Sequence, residues 1–168
     1  MEMPFENKVE KANIQQIDLK DYVEKEIIMS FDLKGGLWQE MVVKEKVFRA
    51  FVKSTNWIDY KDAIVSLHCS IDAIIPAWAY MLVTSELNAV GATVYYGDLK
   101  TVEETRFFEN LNKIDLAPLT NQRVMVKGCS SIPNPTRAYV ELTNILVPVV
   151  KSLMFGEPCS AVPVYKKR

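Results

Sequence analysis

Three cysteines, each followed by a serine, are the residues of this chain best suited to chemistry: Cys69-Ser70, Cys129-Ser130 and Cys159-Ser160. A thiolate is both a nucleophile and a metal ligand. An odd number of cysteines with no signal-peptide pattern ahead of them argues for free thiols or metal ligation over a disulfide framework. Three thiolates suit zinc or an iron–sulfur cluster with one non-cysteine or open position, and spacing does not choose between the two. Asp98 and Glu157 are expected to add oxygen ligands to Cys69, Cys129 and Cys159, with Asp72, water and the only histidine, His68, as other candidates for the last position. No Cys-x-x-Cys pair occurs, so the ligands must come from three separate segments. A nucleophilic or redox thiol, or plain packing of cysteine as a small hydrophobe, remains the alternative for the same residues. The chain has no Gly-x-Gly-x-x-Gly or Walker loop, no His-Glu-x-x-His and no Gly-x-Ser-x-Gly. His68 adjoins Cys69, so a Cys–His dyad would have to use a different thiol.

Two of these thiols sit in segments that resemble each other. Pro76, Ala79, Tyr80, Thr84, Leu87 and Val90 recur fifty-nine residues later as Pro135, Ala138, Tyr139, Thr143, Leu146 and Val149, and Gly97-Asp98 recurs as Gly156-Glu157. The spacing of three and four places the first set on one stripe of a helix, as an internal duplication that retains a buried face would. Helical side chains lean toward the helix N-terminus, so Tyr80 and Tyr139 are expected to aim their hydroxyls back at the Cys-Ser loops. Tyr80, Tyr139, Ser70 and Ser130 are thus the expected polar contacts to a bound cofactor.

Positioning these residues requires alternating strands and helices. Strands are predicted at 63–69, 93–96, 123–128 and 152–155, with helices at 76–90, 101–113 and 135–150, a pattern that implies a mainly parallel sheet. Upstream, Ile27 to Phe31 and Leu37 to Val42 flank Gly35-Gly36 as a predicted β-hairpin, and Val47, Phe48, Phe51 and Val52 mark an amphipathic helix. The expectation is an α/β fold of three layers with a duplicated β-α-β core. At 168 residues it fits a single domain: lead-in 1–60, first unit 61–99, connecting helix 100–120, second unit and tail 121–168. Right-handed crossovers are expected to set the two cysteine-bearing strands side by side at a topological switch point, with helices on opposite faces and a crevice at the carboxyl edge.

With 20 Lys plus Arg against 21 Asp plus Glu, the chain offers no basic footprint for nucleic acid or an anionic membrane. Its longest apolar run, Ala73 to Val83, is too short to span a bilayer, and the expected compartment is the cytoplasm. Internal symmetry also makes a homodimer through an edge strand conceivable.

Leu67-His68-Cys69-Ser70 with Pro76-Ala77-Trp78-Ala79-Tyr80, Lys127-Gly128-Cys129-Ser130 with Ala138-Tyr139-Val140-Glu141-Leu142-Thr143, and Met154-Phe155-Gly156-Glu157-Pro158-Cys159-Ser160 together resemble an uncharacterised bacterial family, domain of unknown function 2480. The resemblance covers most of the chain, departs mainly at the amino-terminal stretch, and carries no established activity. It implies an association with iron–sulfur cluster assembly proteins as partners, and so favours an iron or iron–sulfur role over a purely structural one; the leading expectation is a metal- or iron–sulfur-binding accessory protein, with an enzyme using a thiolate in the same crevice and an interaction module with structural cysteines as the alternatives.

Overall fold

A computed structural model of the chain describes residues 14–157 and 160–168. It has the expected α/β character, but its strands form two sheets. The chain divides into two compact units, one of residues 24–105 and the other of residues up to 23 and from 106 onward.

The first unit is organised by β3 (Ile64–His68), flanked in parallel by β2 (Ile28–Asp32) and β4 (Thr93–Tyr96). Ile64, Val65, Ser66 and Leu67 are consecutive buried residues, as a central parallel strand covered on both faces requires. Ser66, buried among apolar neighbours, donates its hydroxyl to the Gly97 carbonyl at 2.7 Å, so no polar group is stranded. Helices α1 (Glu45–Ser54) and α2 (Ala77–Ala89) supply Phe48, Val52, Ala79, Val83 and Leu87 to one apolar cluster with Phe31, Val65 and Leu67. Phe48 meets Trp78 edge-on at 5.7 Å, so both helices serve the same core.

The second unit is organised the same way around β5 (Arg123–Val126), between β1 (Ile14–Ile17) and β6 (Ser152–Phe155), with β7 (Val162–Lys166) antiparallel along β6. Helix α3 (Leu99–Leu111), which carries the chain from one unit to the other, contributes Phe107, Phe108 and Leu111 to the second cluster. Helix α4 (Pro135–Leu146) adds Ala138, Leu142 and Leu146.

Corresponding positions in the units stand fifty-nine residues apart. Ile64 lies opposite Thr93 as Arg123 lies opposite Ser152. The buried helical stripe Ala79, Val83, Leu87 matches Ala138, Leu142, Leu146. Asp62 (φ 56°) and Asn121 (φ 57°) take the same left-handed turn, and their amides donate to Val90 and Val149 carbonyls at 3.2 and 2.8 Å. The correspondence extends to the first strands: Asp18-Leu19-Lys20 and Asp32-Leu33-Lys34 each follow a strand, and each aspartate accepts the amide of the lysine two residues on, at 3.0 and 2.9 Å.

Three expectations are corrected. The hairpin at 27–42 does not form: β2 pairs with β3, and Trp38 meets Val42 only in an isolated bridge. Gly35-Gly36 serve close packing instead, since a Cβ on Gly36 would lie 2.7 Å from both Phe48 Cδ2 and Phe51 Cδ1. The two cysteine-bearing strands are not neighbours, because β2 and β1 fill the places beside β3 and β5. Neither sheet reverses its strand order, so the anticipated switch-point crevice with helices on opposite faces is absent; within each unit the helices share one cluster. Tyr165 and Lys166, near the end of the chain, belong to β7.

The β4–α3 turn depends on Gly97, whose φ is 128° and whose added Cβ would sit 2.7 Å from Thr101 Cγ2. Gly97→Ala is therefore expected to cost about 1–3 kcal/mol in urea unfolding, with an unchanged circular dichroism spectrum.

Candidate functional site

In the unit of residues 24–105, β3 ends at His68 and delivers Cys69-Ser70 to the carboxyl edge of its sheet. Cys69 is a free, half-buried thiol packed against the helix-side cluster together with Tyr80. The Tyr80 ring stands edge-on to Tyr96 at 5.6 Å. Burial, then the neighbouring Tyr96 and Cys69, push the Tyr80 hydroxyl up from its ordinary range. Among the described residues neither the Cys69 thiol nor the Tyr80 hydroxyl has a hydrogen-bond partner.

His68 is the last residue of β3 and directly precedes Cys69. It pairs in register with Asp32, and its Nδ1 is buried without a hydrogen-bond partner. The Asp32 carboxylate accepts the Lys34 amide at 2.9 Å and the Ser70 amide at 3.1 Å, tying the Cys69-Ser70 loop to β2. Burial alone would raise the Asp32 carboxyl, but hydrogen bonds from Ser70 and Lys34, with the His68 charge, hold it below its usual range. Asp98 is held low as well, first by hydrogen bonds from the Thr101 hydroxyl and amide at 2.6 and 2.8 Å, then, against slight burial, by His68 and Lys100. Two ionised carboxylates, an imidazole nitrogen lacking a partner and an uncommitted thiol thus surround the end of one strand.

The corresponding edge of the other unit is built differently. Tyr139 brackets the main chain of Cys129: its hydroxyl accepts the Cys129 amide at 2.7 Å and donates to the Cys129 carbonyl at 3.1 Å. Its ring stands edge-on to Phe155 at 5.1 Å. The Cys129 sulfur lies 3.4 Å from Ser131 Oγ. Beside it, Val126, Tyr139, Leu142, Leu153, Phe155 and Val164 line an apolar recess of about 270 Å³. Glu157 follows Gly156, and its carbonyl accepts the Ser160 amide at 2.9 Å.

The expected site residues therefore divide: Cys69, Ser70, Tyr80 and Asp98 belong to one unit, Cys129, Ser130, Tyr139 and Glu157 to the other. Cys159 lies outside the described residues. Tyr139 meets the cysteine loop as its helical position predicted; Tyr80 comes near Cys69 without that bond. Among the described residues no three His, Cys, Asp or Glu side chains are grouped to hold a metal ion, and no helix is long and apolar enough to cross a membrane. Asp32 and Tyr96 were not singled out from sequence. The Asp-Leu-Lys tripeptide at 18–20 and again at 32–34 was the available signal for Asp32.

Removing the bracketing hydroxyl in Tyr139→Phe is expected to cost about 1–3 kcal/mol, since it leaves two main-chain groups of Cys129 without their partner. Tyr80→Phe should cost under about 0.5 kcal/mol. Parallel urea titrations measure the difference.

A carboxyl held below its unfolded value stabilises the fold above that value, and the contribution fades as pH falls through the folded one. Asp32→Asn should therefore be destabilising near neutrality, and its deficit relative to the wild type should shrink as pH falls below about 4 in thermal melts.

The family profile that matches the chain, over residues 3–167, is described as protein of unknown function (DUF2480). No curated protein and no solved structure matches it.

Proposed function

Because the chain belongs to this family of unknown function, which supplies no activity to transfer, we propose from its own residues that the protein handles a thiophilic metal ion or iron–sulfur species, with the Cys69 thiolate as its principal ligand. The observation that carries the reading is the contrast between two corresponding thiols. Cys129 has its main chain bracketed by Tyr139 and its sulfur beside Ser131. The loop of Cys69 is equally well anchored, through Ser70 to Asp32, but its sulfur is left uncommitted.

Zinc and iron accept thiolate sulfur, the donor that Cys69 offers, together with imidazole nitrogen or carboxylate oxygen. The described residues form no closed group of three ligands. The remaining positions are then for water, sulfide or a ligand from a carrier, which suits an accessory protein that receives and passes on its cargo better than one that stores it. Iron–sulfur assembly proteins, implied by the family resemblance, are the partners this role calls for.

Elemental analysis and visible absorption of anaerobically purified wild type, Cys69→Ser, Cys129→Ser and Cys159→Ser test the reading. Zinc or iron near one equivalent in the wild type, lost in Cys69→Ser and kept in Cys129→Ser, is the expected outcome. A wild-type protein that stays metal-free after anaerobic incubation with iron, sulfide or zinc rules it out.

One feature favours a second reading, an enzyme using the Cys69 thiolate on a small substrate. The Tyr80 hydroxyl lies toward Cys69 with no other partner among the described residues and would serve as a hydrogen-bond donor. Selective alkylation of Cys69 in a metal-free protein, slowed by a substrate analogue, would support this reading in place of the first.

A further inference from the structure

The two sheets differ in what lies beyond the strand that follows the cysteine-bearing one. In the second unit β7 runs antiparallel along β6, with Leu153 opposite Tyr165 and Phe155 opposite Val162. In the first unit β4 is the terminal strand of its sheet among the described residues. The inward bonding of β4 and β6 is the same. The amides of Thr93 and Gly97 donate to the Ala63 and Leu67 carbonyls at 2.8 and 3.1 Å, and those of Ser152 and Gly156 to Gln122 and Val126, at 3.4 and 2.9 Å. In a parallel ladder alternate residues bond to alternate sides, so Val94 and Tyr96 turn their main-chain groups outward, as Leu153 and Phe155 do toward β7.

Edge strands are normally blunted by lysine, proline or a bulge. β4 carries none of these: it reads Thr-Val-Tyr-Tyr, all residues that favour strands, and pairs with β3 in unbroken register. Tyr96 is 77% exposed, and Ile74 and Met81 of the same unit are 78% and 70% exposed. Such an edge invites a further strand.

We propose that β4 pairs antiparallel with β4 of a second copy of this chain, forming a two-fold dimer through a continuous sheet. β7 on the equivalent edge shows the kind of occupant, an extended strand running antiparallel. β4 is itself such a strand, and a two-fold axis at Tyr95 places Val94 opposite Tyr96 of the partner copy. The outward main-chain groups of both residues are then exchanged in pairs. β4 carries no charged residue, so no like charges meet along the paired strands. A closed isologous pair also uses up the edge and leaves no strand open to further growth. This inference is independent of the role of Cys69.

Sedimentation velocity and light scattering on the full chain, from low to about 100 μM, test it, because association is concentration-dependent. The wild type is expected to run at twice the chain mass. Tyr96→Lys, which puts a charge on an exposed position, should weaken association by about tenfold or more. Val94→Pro, which removes one outward amide, should leave a monomer, and thermal melts establish that each variant is folded. Amide exchange at Val94 and Tyr96 should be slow in the dimer and fast in folded Tyr96→Lys. A wild type that stays monomeric throughout, or a dimer indifferent to both substitutions, overturns the proposal, as does a monomer that takes up an unrelated extended peptide along β4.

Discussion

β3 and β5 are buried along most of their length, and a buried strand must satisfy its main-chain donors and acceptors on both sides. That requirement organises the whole chain. Each central strand has a strand delivered by its own crossover on one side, β4 or β6. On the other side each recruits a short strand from the first part of the chain, β2 or β1. Two β-strands that follow one another in the chain, β1 ending at Ile17 and β2 beginning at Ile28, are thereby sent to different sheets, and the chain completes one unit before returning to finish the other.

The same first strands also build the candidate site. At the end of each, Asp18 just after β1 and Asp32 as the last residue of β2, an aspartate caps a single 3-10 turn through the amide two residues on. In the first unit that aspartate does a second job, accepting the Ser70 amide and so anchoring the loop that carries Cys69. In the second unit the anchoring of the cysteine loop falls to Tyr139, from the helix side. Anchoring the loop from β2 leaves Tyr80 and the thiol unengaged, whereas anchoring it from the helix consumes the tyrosine. Two edges with the same topology thus end with different chemical potential. One is a structural corner; the other holds an open thiol near an imidazole and two carboxylates.

An open donor set has consequences for what can bind. A closed tetrahedral cage holds a structural ion, whereas a site with vacant positions exchanges ligands with solvent, substrate or a carrier. In the reading proposed above, the edge around Cys69 would have the second character: Asp32 and Asp98 already accept main-chain and hydroxyl donors, and the sulfur and His68 Nδ1 are left over. Hydrogen bonds that keep both carboxylates ionised also make this edge receptive to positive charge.

Much was legible in the sequence. The apolar runs at 63–69, 93–96, 123–128 and 152–155 contain the strands at 64–68, 93–96, 123–126 and 152–155, and the three-and-four spacing after 76 and 135 marks the helices there, because burial leaves its pattern in the residues. Tyr139 was assigned toward the cysteine loop from its place on the helix alone. The tertiary structure decided what those local signals do not encode. Ile14–Ile17, with two glutamines at its centre, and Val162–Lys166, with a proline and a lysine, lack the continuous apolar run of the other strands and are stabilised by the neighbours they pair with. Gly35-Gly36 look like a hairpin turn until the phenyl rings of Phe48 and Phe51 come to lie against them. Which strand lies beside which is a question of long-range hydrogen bonding, and residues 14–17 and 28–32, distant in sequence from β5 and β3, took the places that local connectivity would have assigned to one another's cysteine strands.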